Sequence, residues 1–483
     1  MASVREETAR GIKWGLIQKC TMQPVQFVFG VILARLISPG EMGILGLTGI
    51  FFAFAAQLQE CGFGAALIRK QERTDEDICT VFWFNVAMSF LLSLILFLAA
   101  PWFAWFFDQP ALLNLTRVSA LLMFLNSTGS VHWTLYQARR DFKTPAIVSM
   151  CTTLVAMPFT IWAAYAGWSY WAPMLQGIIT GILSLITVWI ISPWKPKFKF
   201  SKESFNTFFK YGVNLTLSGI INKTYSEVRI FIIGKFYSPA QLAYFSRGEQ
   251  TCRLPLSLTE SVLGPILFPI LATLQYDKSR LVSVYQRYIS LSALVIEWGM
   301  ITMAANANSL MLTLYGEKWV SAAVYAQILC LGWMFNPLLS INCSLFAVLG
   351  RTDITLKFET VLRIFSITAM LFAAFVSVKA LCWAATMSAI FAILVSSVLV
   401  TKICELTIAQ LCKAFIPYLG MALIANIPSV FIDTLSFFPA CRLSLGIVCS
   451  LVIYCLLLWI KRDSSAGMFI SLAKEKLMKK SHA

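Results

Sequence analysis

Residues 211–264 read YGVNLTLSGIINKTYSEVRIFIIGKFYSPAQLAYFSRGEQTCRLPLSLTESVLG and contain two apolar runs, each long enough to cross a lipid bilayer. Ionisable side chains interrupt these runs, among them Lys223, Glu227, Arg229, Glu249, Arg253 and Glu260. Each such group costs about 2.5–3.5 kcal/mol at the centre of a membrane helix, so these groups must either serve a function or pair with one another. Residues 249, 253 and 260 share a narrow arc of one helix face, because they are spaced i, i+4 and i+11. This pattern favours a cationic centre flanked by acids that faces a cavity within the membrane.

The composition predicts an all-α polytopic membrane protein. Hydrophobic residues make up 58% of the 483 positions and charged residues 13%. A soluble domain carries about 25% charged residues. Segments of about twenty apolar residues predict about fourteen transmembrane helices. The 13 cysteines lie mostly in apolar runs without the paired spacing of a zinc site, which indicates reduced core residues and no metal centre.

Basic residues are distributed unequally between the two sides of the predicted helix bundle. Most of the 39 lysines and arginines lie in even-numbered connections and at the termini, and few lie on the other side: Arg35, Lys235, Lys318, Lys379 and Arg442. Because positively charged loops are retained in the cytoplasm, this bias predicts that both termini are cytoplasmic. It also accounts for the net charge of +16 without a nucleic-acid partner. The start of the chain has no small-residue cleavage site, so no removable signal peptide is expected.

An internal repeat indicates two similar halves. Residues 31–43, VILARLISPGEMG, align without a gap on residues 231–243, FIIGKFYSPAQLA, and the same alignment pairs Glu60 with Glu260. The shared basic residue, Ser-Pro turn and glutamate predict two six-helix lobes, related by a parallel pseudo-twofold axis along the membrane normal. The expected parts are an N-terminal lobe at 1–192, a cytoplasmic linker at 193–207, a C-terminal lobe at 208–402, an accessory helix pair at 403–462 and a basic tail at 463–483.

Polar residues on other helices extend the set of candidates. Lys19 and Gln23 share one face of the first helix, where Lys19 either lines a cavity or snorkels to the cytoplasmic headgroups. Glu60 is either a cavity residue or an interfacial acid near the end of the second helix. Lys223 on the seventh helix has Glu227 at i+4, so a local ion pair is the alternative to a role in binding. Arg229 lies on another face of that helix.

Arg253 is the leading candidate for binding an anionic substrate. Three prolines, Pro255, Pro265 and Pro269, are expected to kink its helix, and broken helices expose backbone polar groups in transporters. The alternative is a structural ion pair with Glu249.

The sequence leaves two interpretations open for each of two further residues. Glu297 has no charged residue three or four positions away, so it is either a protonated, hydrogen-bonded acid or a coupling site. His132 is either a packed hydrogen-bonding residue or a proton carrier.

Motifs for enzymatic chemistry are missing from the sequence. It contains no Walker A loop, no His-Glu-x-x-His and no Gly-x-Ser-x-Gly motif, so we expect neither catalytic residues nor a cofactor. Any work must come from the gradient of the solute itself or from coupling to H⁺ or Na⁺. The candidates for that coupling are Glu60, Glu249, Glu260 and Glu297.

The predicted helices, the two lobes with a trailing pair and the stretch LARLISPGEMG at residues 33–43 resemble one known group. They are similar to the polysaccharide exporters of the multidrug/oligosaccharidyl-lipid/polysaccharide superfamily, nearest the colanic-acid and teichuronic-acid exporter types. The resemblance implies a flippase of surface polysaccharide biosynthesis in a bacterial inner membrane. Such a protein moves undecaprenyl-pyrophosphate-linked oligosaccharide from the cytoplasmic to the outer leaflet, which suggests contact with polysaccharide polymerase machinery.

The working hypothesis is an alternating-access flippase. The substrate pyrophosphate would be held by Lys19, Lys223 or Arg253, since cationic side chains suit a phosphate. Gln23 and Arg229 complete the predicted substrate set. One alternative is a cation-coupled multidrug exporter of the same superfamily, which the acids at 260 and 297 favour. Another is a membrane-embedded glycosyltransferase or polymerase, but the predicted outer loops are short and contain few acids.

Overall fold

The computed structural model describes the backbone of residues 4–404 and 406–461. Within these ranges it describes all side chains except those of residues 4–13, 16, 17, 19, 20, 60, 214, 258–266 and 352. Regular secondary structure in the described part is helical throughout. Contacts within the chain define two compact units, and the division along the sequence falls between Ala243 and Tyr244.

The first unit contains eight complete helices and the start of a ninth. These are α1 (Val4–Leu36), α2 (Pro39–Glu60), α3 (Phe63–Arg69), α4 (Asp75–Phe106), α5 (Ala111–Ala138), α6 (Lys143–Tyr165), α7 (Trp171–Ile191), α8 (Lys202–Phe236) and the beginning of α9 (Pro239–Thr273).

The second unit contains the rest of α9 and the remaining helices. These are α10 (Lys278–Ala305), α11 (Ala307–Tyr315), a 3₁₀ turn (Glu317–Trp319), α12 (Ala322–Trp333), α13 (Asn336–Val348), α14 (Thr352–Ala374), α15 (Val378–Cys404), α16 (Ile408–Thr434) and α17 (Pro439–Ile460).

Nine helical segments of the described chain are long and apolar enough to cross a membrane. They are α2 with α3, α4, α6, α7, α10, α12 with α13, α15, α16 and α17. The helices outside this set include α8 and α14, whose apolar runs are interrupted by charged residues. The prediction of an all-α polytopic membrane protein is confirmed. The count of about fourteen crossings and the parallel repeat stay predictions.

The two Ser-Pro turns that align in sequence cap their helices in the same way. The hydroxyl of Ser38 accepts a hydrogen bond from the backbone N–H of Glu41 at 3.4 Å, and the hydroxyl of Ser238 accepts one from the N–H of Gln241 at 3.3 Å. A proline at the first helical position needs no hydrogen-bond partner and has a φ suited to the helix. The turns also lie close together, because Gly43 of α2 packs directly against the backbone of Pro239.

The other end of α2 is held against α8. Cys61 and Gly62 connect α2 to α3 with φ angles of +40° and +66°, a left-handed conformation that favours glycine. A β-carbon on Gly62 would lie 2.8 Å from the α-carbon of Gly212 on α8. Glycine at both positions therefore permits contact between the two backbones, the type of close packing that associates helices in lipid.

Hydrogen bonds and an ion pair hold the linker predicted at 193–207 against the start of α4. The indole N–H of Trp83 donates to the carbonyl oxygen of Lys197 at 2.9 Å, and the backbone N–H of Ser201 donates to the hydroxyl of Thr80 at 2.9 Å. The ammonium of Lys197 lies 2.6 Å from the Asp75 carboxylate, and this hydrogen bond raises the pKa of Lys197. These contacts bring the following helix, α8, back beside α4.

The compact units therefore differ from the predicted lobes in the position of α8. The sequence assigns residues from 208 onward to the C-terminal lobe, whereas α8 packs with α2, α3 and α4 in the first unit. The physical reason is the glycine contact with α2 described above. The six-helix lobes and the accessory pair themselves stay predictions.

We predict that Gly43→Ala destabilises the protein and that Gly49→Ala does not. The new β-carbon at position 43 would overlap the backbone of Pro239, whereas no atom lies within 4 Å of that position at Gly49 of the same helix. Overpacking of this kind costs about 1–3 kcal/mol, while alanine is favoured over glycine in a helix by about 0.5–1 kcal/mol. The measurement is the unfolding midpoint of each purified variant in detergent. Equal midpoints for the two variants would show that α2 and α9 are not in close contact.

Candidate substrate site

Lys223 on α8 forms an ion pair with an acidic residue of the same helix. Lys223 Nζ lies 3.0 Å from the Glu227 carboxylate, with the side chains 35% and 15% exposed respectively. The spacing is i, i+4, which places both groups on one helix face. The local ion pair that the sequence left open as an alternative is therefore present. Arg229, farther along α8, is half-buried.

The polar face of α2 meets α8 one turn before this pair. The side-chain amide of Gln57 packs against Gly219, which has no side chain and lies four residues before Lys223. A glycine here makes room for the amide between the two helices. The polar residues predicted on α2 and α8 thus lie beside one another in the first unit.

A second ion pair has the same spacing on α9. A guanidinium nitrogen of Arg253 lies 3.2 Å from a carboxylate oxygen of Glu249. The two partners differ in exposure, because the Arg253 side chain is 62% exposed whereas that of Glu249 is 13% exposed. The structure thus contains the ion pair with Glu249 and leaves most of the guanidinium accessible.

Trp333 supports the guanidinium of Arg253 from another helix. The central carbon of the guanidinium lies 5.1 Å from the centre of the indole ring, within the range of a cation–π interaction. Trp333 is the last residue of α12, and α13 begins at Asn336 with Pro337 in its first turn. The helical break beside Arg253 therefore lies between α12 and α13. The helix that carries Arg253, α9, continues through Pro255. A single proline removes one backbone hydrogen bond without ending the helix here.

Arg247, two turns before Arg253, lies in an aromatic environment that the sequence analysis missed. Its guanidinium is 5.3 Å from the ring centre of Tyr315 and 5.4 Å from that of Trp319, and it donates to the side chain of Gln250 at 2.9 Å. The sequence shows a basic residue in an apolar run but not its partners, because the two aromatic residues lie more than sixty positions away. This arginine fixes the contact between α9 and the end of α11.

Glu297 of α10 is buried and has no hydrogen-bond partner among the described residues. Its side chain has no exposed surface, and neither carboxylate oxygen has a hydrogen-bond partner among the described residues. The neighbouring residues hold α17 in place: Trp298 donates to Ser450 at 2.9 Å, and Tyr454 donates to the carbonyl oxygen of Leu294 at 2.9 Å. An unpaired buried carboxylate is costly in free energy, whereas a neutral acid is much less so. These surroundings favour the neutral form of the acid, and the coupling role of Glu297 stays a prediction.

His132 has the contacts of a packed residue. Its ring nitrogen Nδ1 lies 2.8 Å from the hydroxyl oxygen of Ser192, and the ring packs edge-on against Trp189 and Trp194 at centroid distances of 5.2 and 5.3 Å. The hydrogen-bonding alternative in the sequence analysis describes this geometry. The residue joins α5 to the end of α7 and to the linker.

The structure describes the side chains of only some of the remaining predicted residues. Gln23 is half-buried on α1. The side chains of Lys19, Glu60 and Glu260 lie outside the described residues. The convergence of Lys19, Lys223 and Arg253 on a single cavity therefore stays a prediction.

Both ion pairs combine a compensated charge with an accessible cation. Each pair has no net charge, which lowers the cost of placing its members in an apolar helix. Exposed pairs at i, i+4 contribute only about 0.3–0.5 kcal/mol to stability. Separating either cation from its carboxylate therefore costs little stability, and the binding of a ligand at Lys223 or Arg253 stays a prediction.

Comparison with known proteins assigns the chain to a family. The model of a family described as "Polysaccharide biosynthesis protein" matches residues 32–324, more than half of the sequence. The chain belongs to this family. The family resemblance stated from the sequence is confirmed.

Individual relatives have low sequence identity to this chain but match most of its length. The teichuronic acid biosynthesis protein TuaB of Bacillus subtilis is 22% identical over 74% of this chain and 75% of its own length. The succinoglycan biosynthesis transport protein ExoT of Rhizobium meliloti is 24% identical over 65% of this chain and 63% of its own length. The solved structure of the lipid II flippase MurJ, in an inward closed conformation, superposes with a TM-score of 0.70 at 13% identity. It covers 95% of this chain and 98% of MurJ, which shows a shared fold.

These matches agree with the expectation of a transporter rather than an enzyme. ExoT is described as a transport protein and MurJ as a flippase. The polysaccharide biosynthesis protein is accordingly a multi-pass membrane protein with the fold of a known flippase.

We predict that the pair between Glu249 and Arg253 contributes little to folding. A double-mutant cycle with Glu249→Gln and Arg253→Gln should give a coupling energy of about 0.2–1 kcal/mol, because most of the arginine is in contact with solvent or lipid. The measurement is the free energy of unfolding of the four proteins in detergent. A coupling of about 3 kcal/mol or more, typical of a buried pair, would assign the pair a structural role instead.

Proposed function

We propose that this polysaccharide biosynthesis protein is a flippase for lipid-linked oligosaccharides. It moves polyprenyl-pyrophosphate-linked repeat units, of the undecaprenyl type, from the cytoplasmic to the outer leaflet of a bacterial inner membrane by alternating access. The observation that carries the proposal is the exposed guanidinium of Arg253, which lies 3.2 Å from Glu249 and is contacted by Trp333.

Exchange of anions at Arg253 has a clear physical basis. The guanidinium presents several N–H donors in a planar fork that matches phosphate oxygens, and hydrogen bonds between charged groups are about twice as strong as neutral ones. The Glu249 carboxylate offers one contact at 3.2 Å, whereas a pyrophosphate offers several oxygens and a larger charge. Because the indole of Trp333 lies over the guanidinium, the cation keeps a supporting contact when its carboxylate partner changes.

Lys223 supplies a second cation of the same kind on α8. It is one-third exposed and bonded to Glu227, so a phosphate can exchange with the carboxylate there as well. Lys19, Gln23 and Arg229 complete the proposed substrate set. The polyprenyl tail remains in the lipid, since only the polar headgroup needs an aqueous path.

The relatives support the chemical class of the substrate. TuaB and ExoT are named for the biosynthesis of teichuronic acid and of succinoglycan, and MurJ for the flipping of lipid II. Membership of a polysaccharide biosynthesis family and the fold of a lipid flippase both favour a lipid-linked sugar as cargo. The same biosynthetic setting favours contact with polysaccharide polymerase machinery.

The charge distribution supports the proposed orientation. With both termini in the cytoplasm, the linker with its Lys195, Lys197 and Lys199 lies on the cytoplasmic side, as does the end of α17 with Lys461. The loaded headgroup then enters from the side on which sugars are assembled onto the lipid carrier.

Energy for transport is proposed to enter through an acid that exchanges a cation. Glu297 is the leading candidate because it is fully buried and its carboxylate has no described partner. Glu249, which pairs with Arg253, is a further candidate. Glu60 and Glu260 remain candidates for coupling to H⁺ or Na⁺.

A cation-coupled multidrug exporter is the second candidate function. The buried acid at Glu297 favours it, because a cationic drug can exchange with a proton at a carboxylate. The cations at Lys223 and Arg253 favour the flippase instead. Loss of drug resistance without loss of surface polysaccharide in a deletion strain would support the exporter.

We predict that Arg253→Ala lowers polysaccharide export at least tenfold without loss of folded protein. Removing one charge-assisted contact costs about 1.5–3 kcal/mol, and each 1.4 kcal/mol is a factor of ten in binding. The measurement is surface polysaccharide in cells that depend on the variant, with the amount of folded protein assessed by size-exclusion chromatography. Arg253→Lys, which keeps the charge but not the fork, should give an intermediate result.

The matched control for this prediction is Arg351→Ala. Arg351 is similarly exposed and paired, at 3.4 Å from Asp353, but it lies in a connection outside the proposed site. Export should be unchanged in this variant. Normal export by Arg253→Ala would remove Arg253 from the mechanism.

We predict that Glu297→Gln uncouples transport from an ion gradient but leaves substrate binding intact. Glutamine keeps the shape of the side chain and cannot exchange a proton. The measurement is flipping in proteoliposomes with an imposed pH or sodium gradient, together with binding of the lipid-linked substrate. Glu359→Gln, at an acid paired with Arg363 at 2.9 Å and partly exposed, is the control and should respond normally. A normal gradient response of Glu297→Gln would place the coupling acid elsewhere.

A further inference from the structure

A cavity in the second unit lies between α10, α12 and α15. Its volume is about 470 Å³, within the size range of small-molecule sites. It is lined by Ala304 of α10, by Val324, Gln327 and Leu331 of α12 and by Lys379 and Trp383 of α15. The residues assigned to the substrate are not among these. A ligand in this cavity is therefore distinct from the one proposed at Arg253.

The mouth of the cavity lies at one boundary of the membrane-spanning helices. The apolar spans that surround it are Lys278–Ala305, Ala322–Val348 and Val378–Cys404. Ala304 is the last residue but one of the first span, Val324 is the third residue of the second, and Lys379 is the second residue of the third. Since spans end where hydrocarbon meets headgroups, these three residues lie close to headgroup level.

The helices on two sides of the cavity enter the membrane side by side. The hydroxyl of Thr386 on α15 donates to the carbonyl oxygen of Ile328 on α12 at 2.8 Å. Farther along, the side-chain amide of Asn342 on α13 donates to the hydroxyl of Ser396 on α15 at 2.9 Å. The span formed by α12 and α13 therefore runs in the same direction as α15.

The lining changes from polar to apolar with depth. Seven residues separate Val324 from Leu331, which corresponds to about 10 Å along the helix. Lys379 lies near the mouth and Gln327 about one turn inward, whereas Leu331 lies deeper and Trp383 one turn beyond Lys379. The Trp383 side chain is 43% exposed, as is common for aromatic residues near a membrane interface. The cavity thus fits a ligand with a polar end at the boundary and an apolar chain below it.

Lys379 supplies the charge of the cavity. It is exposed and has no ion pair or hydrogen bond among the described residues. No acidic residue is among the described residues that line the cavity. Glu297 lies two turns before Ala304 on α10, but it is fully buried outside the lining.

The other charged residues at this end of the second unit nearly balance. Glu317 and Lys318 are exposed in the turn before α12. Asp433 accepts from the backbone N–H of Ser309 at 2.9 Å, and Arg442 donates to the carbonyl oxygen of Asp433 at 2.9 Å. Attraction of an anion to the cavity therefore depends on Lys379 itself and not on a basic surface around it.

We propose that this cavity binds one anionic phospholipid of the surrounding membrane. The ammonium of Lys379 contacts the lipid phosphate, and the amide of Gln327 donates to a headgroup oxygen. One acyl chain lies in the deeper part of the cavity, between Leu331 and Trp383. The lipid is favoured over a dissolved anion because the cavity starts at headgroup level and its inner part is apolar. This site is separate from the proposed flippase activity and does not depend on it.

The test measures the occupancy of the cavity through the fluorescence of Trp383. The protein is placed in phosphatidylcholine nanodiscs that contain increasing fractions of a lipid with brominated acyl chains, which quench nearby tryptophans. The brominated lipid is either phosphatidylglycerol or phosphatidylcholine. The same titrations of Trp383→Phe give the quenching of the other tryptophans, which is subtracted.

We expect brominated phosphatidylglycerol to reach half-maximal quenching of Trp383 at about a fivefold lower fraction than brominated phosphatidylcholine. One basic residue near an anionic lipid contributes about 1 kcal/mol, and 1.4 kcal/mol is a factor of ten. Equal half-maximal fractions for the two lipids would overturn the proposal. Loss of the preference on addition of inorganic phosphate would also overturn it, because the site would then recognise a free anion.

Three variants assign the preference to the cavity. Lys379→Gln should abolish it, and Lys379→Arg should retain it because the charge remains. Lys318→Gln is the matched control, since it removes an exposed charge from the same end outside the cavity. It should leave the preference unchanged. A preference that persists in Lys379→Gln, or that is lost equally in Lys318→Gln, would show that the lipid is not recognised in this cavity.

Discussion

A charge within an apolar helix must be compensated, and this constraint shapes the structure around the candidate cations Lys223 and Arg253. The chain meets it with partners one turn away on the same helix: Lys223 with Glu227, Arg253 with Glu249 and Arg363 with Glu359. Such pairs assemble as soon as the helix forms and need no tertiary contact. They make each helix formally neutral at that point, which allows ionisable groups to occupy segments that otherwise belong in a membrane.

The same local pairing makes a cation available to a ligand. A buried pair held by both partners would be costly to separate, whereas a pair with an exposed cation exchanges its anion with little loss of stability. Arg253 is of the second type, and the indole of Trp333 contacts its guanidinium from another helix. Arg247, two turns earlier, is enclosed by Tyr315 and Trp319 and anchors the helix instead. Two arginines on one helix thus have different roles because their neighbours differ.

Close backbone contacts hold the first unit together where side-chain packing alone would be weak. Lipid is as apolar as a leucine side chain, so helices in a membrane gain little from burying apolar surface and depend on close packing and hydrogen bonds. Gly43 against Pro239 and Gly62 against Gly212 provide such packing for α2. Hydrogen bonds across helices complement it, as in the donation from Ser93 of α4 to the carbonyl oxygen of Ala120 on α5 at 2.8 Å. These contacts place α8 with the first unit, although the linker before it marks a boundary in the sequence.

The sequence by itself determined what depends on helical spacing. It gave the all-α membrane class and the ion pairs at i, i+4, which it offered as alternatives to substrate binding, because residues within one turn of a helix are neighbours in any packing. The family resemblance also came from the sequence, through the span pattern and the stretch at 33–43. Only the tertiary structure decided which residues from distant segments meet. Trp333 beside Arg253, the burial of Glu297 and the cavity between α10, α12 and α15 all depend on how helices pack. Hydrophobic periodicity shows that a helix face is buried but does not specify the helix that covers it, and that information resides in the shape of the packed helices.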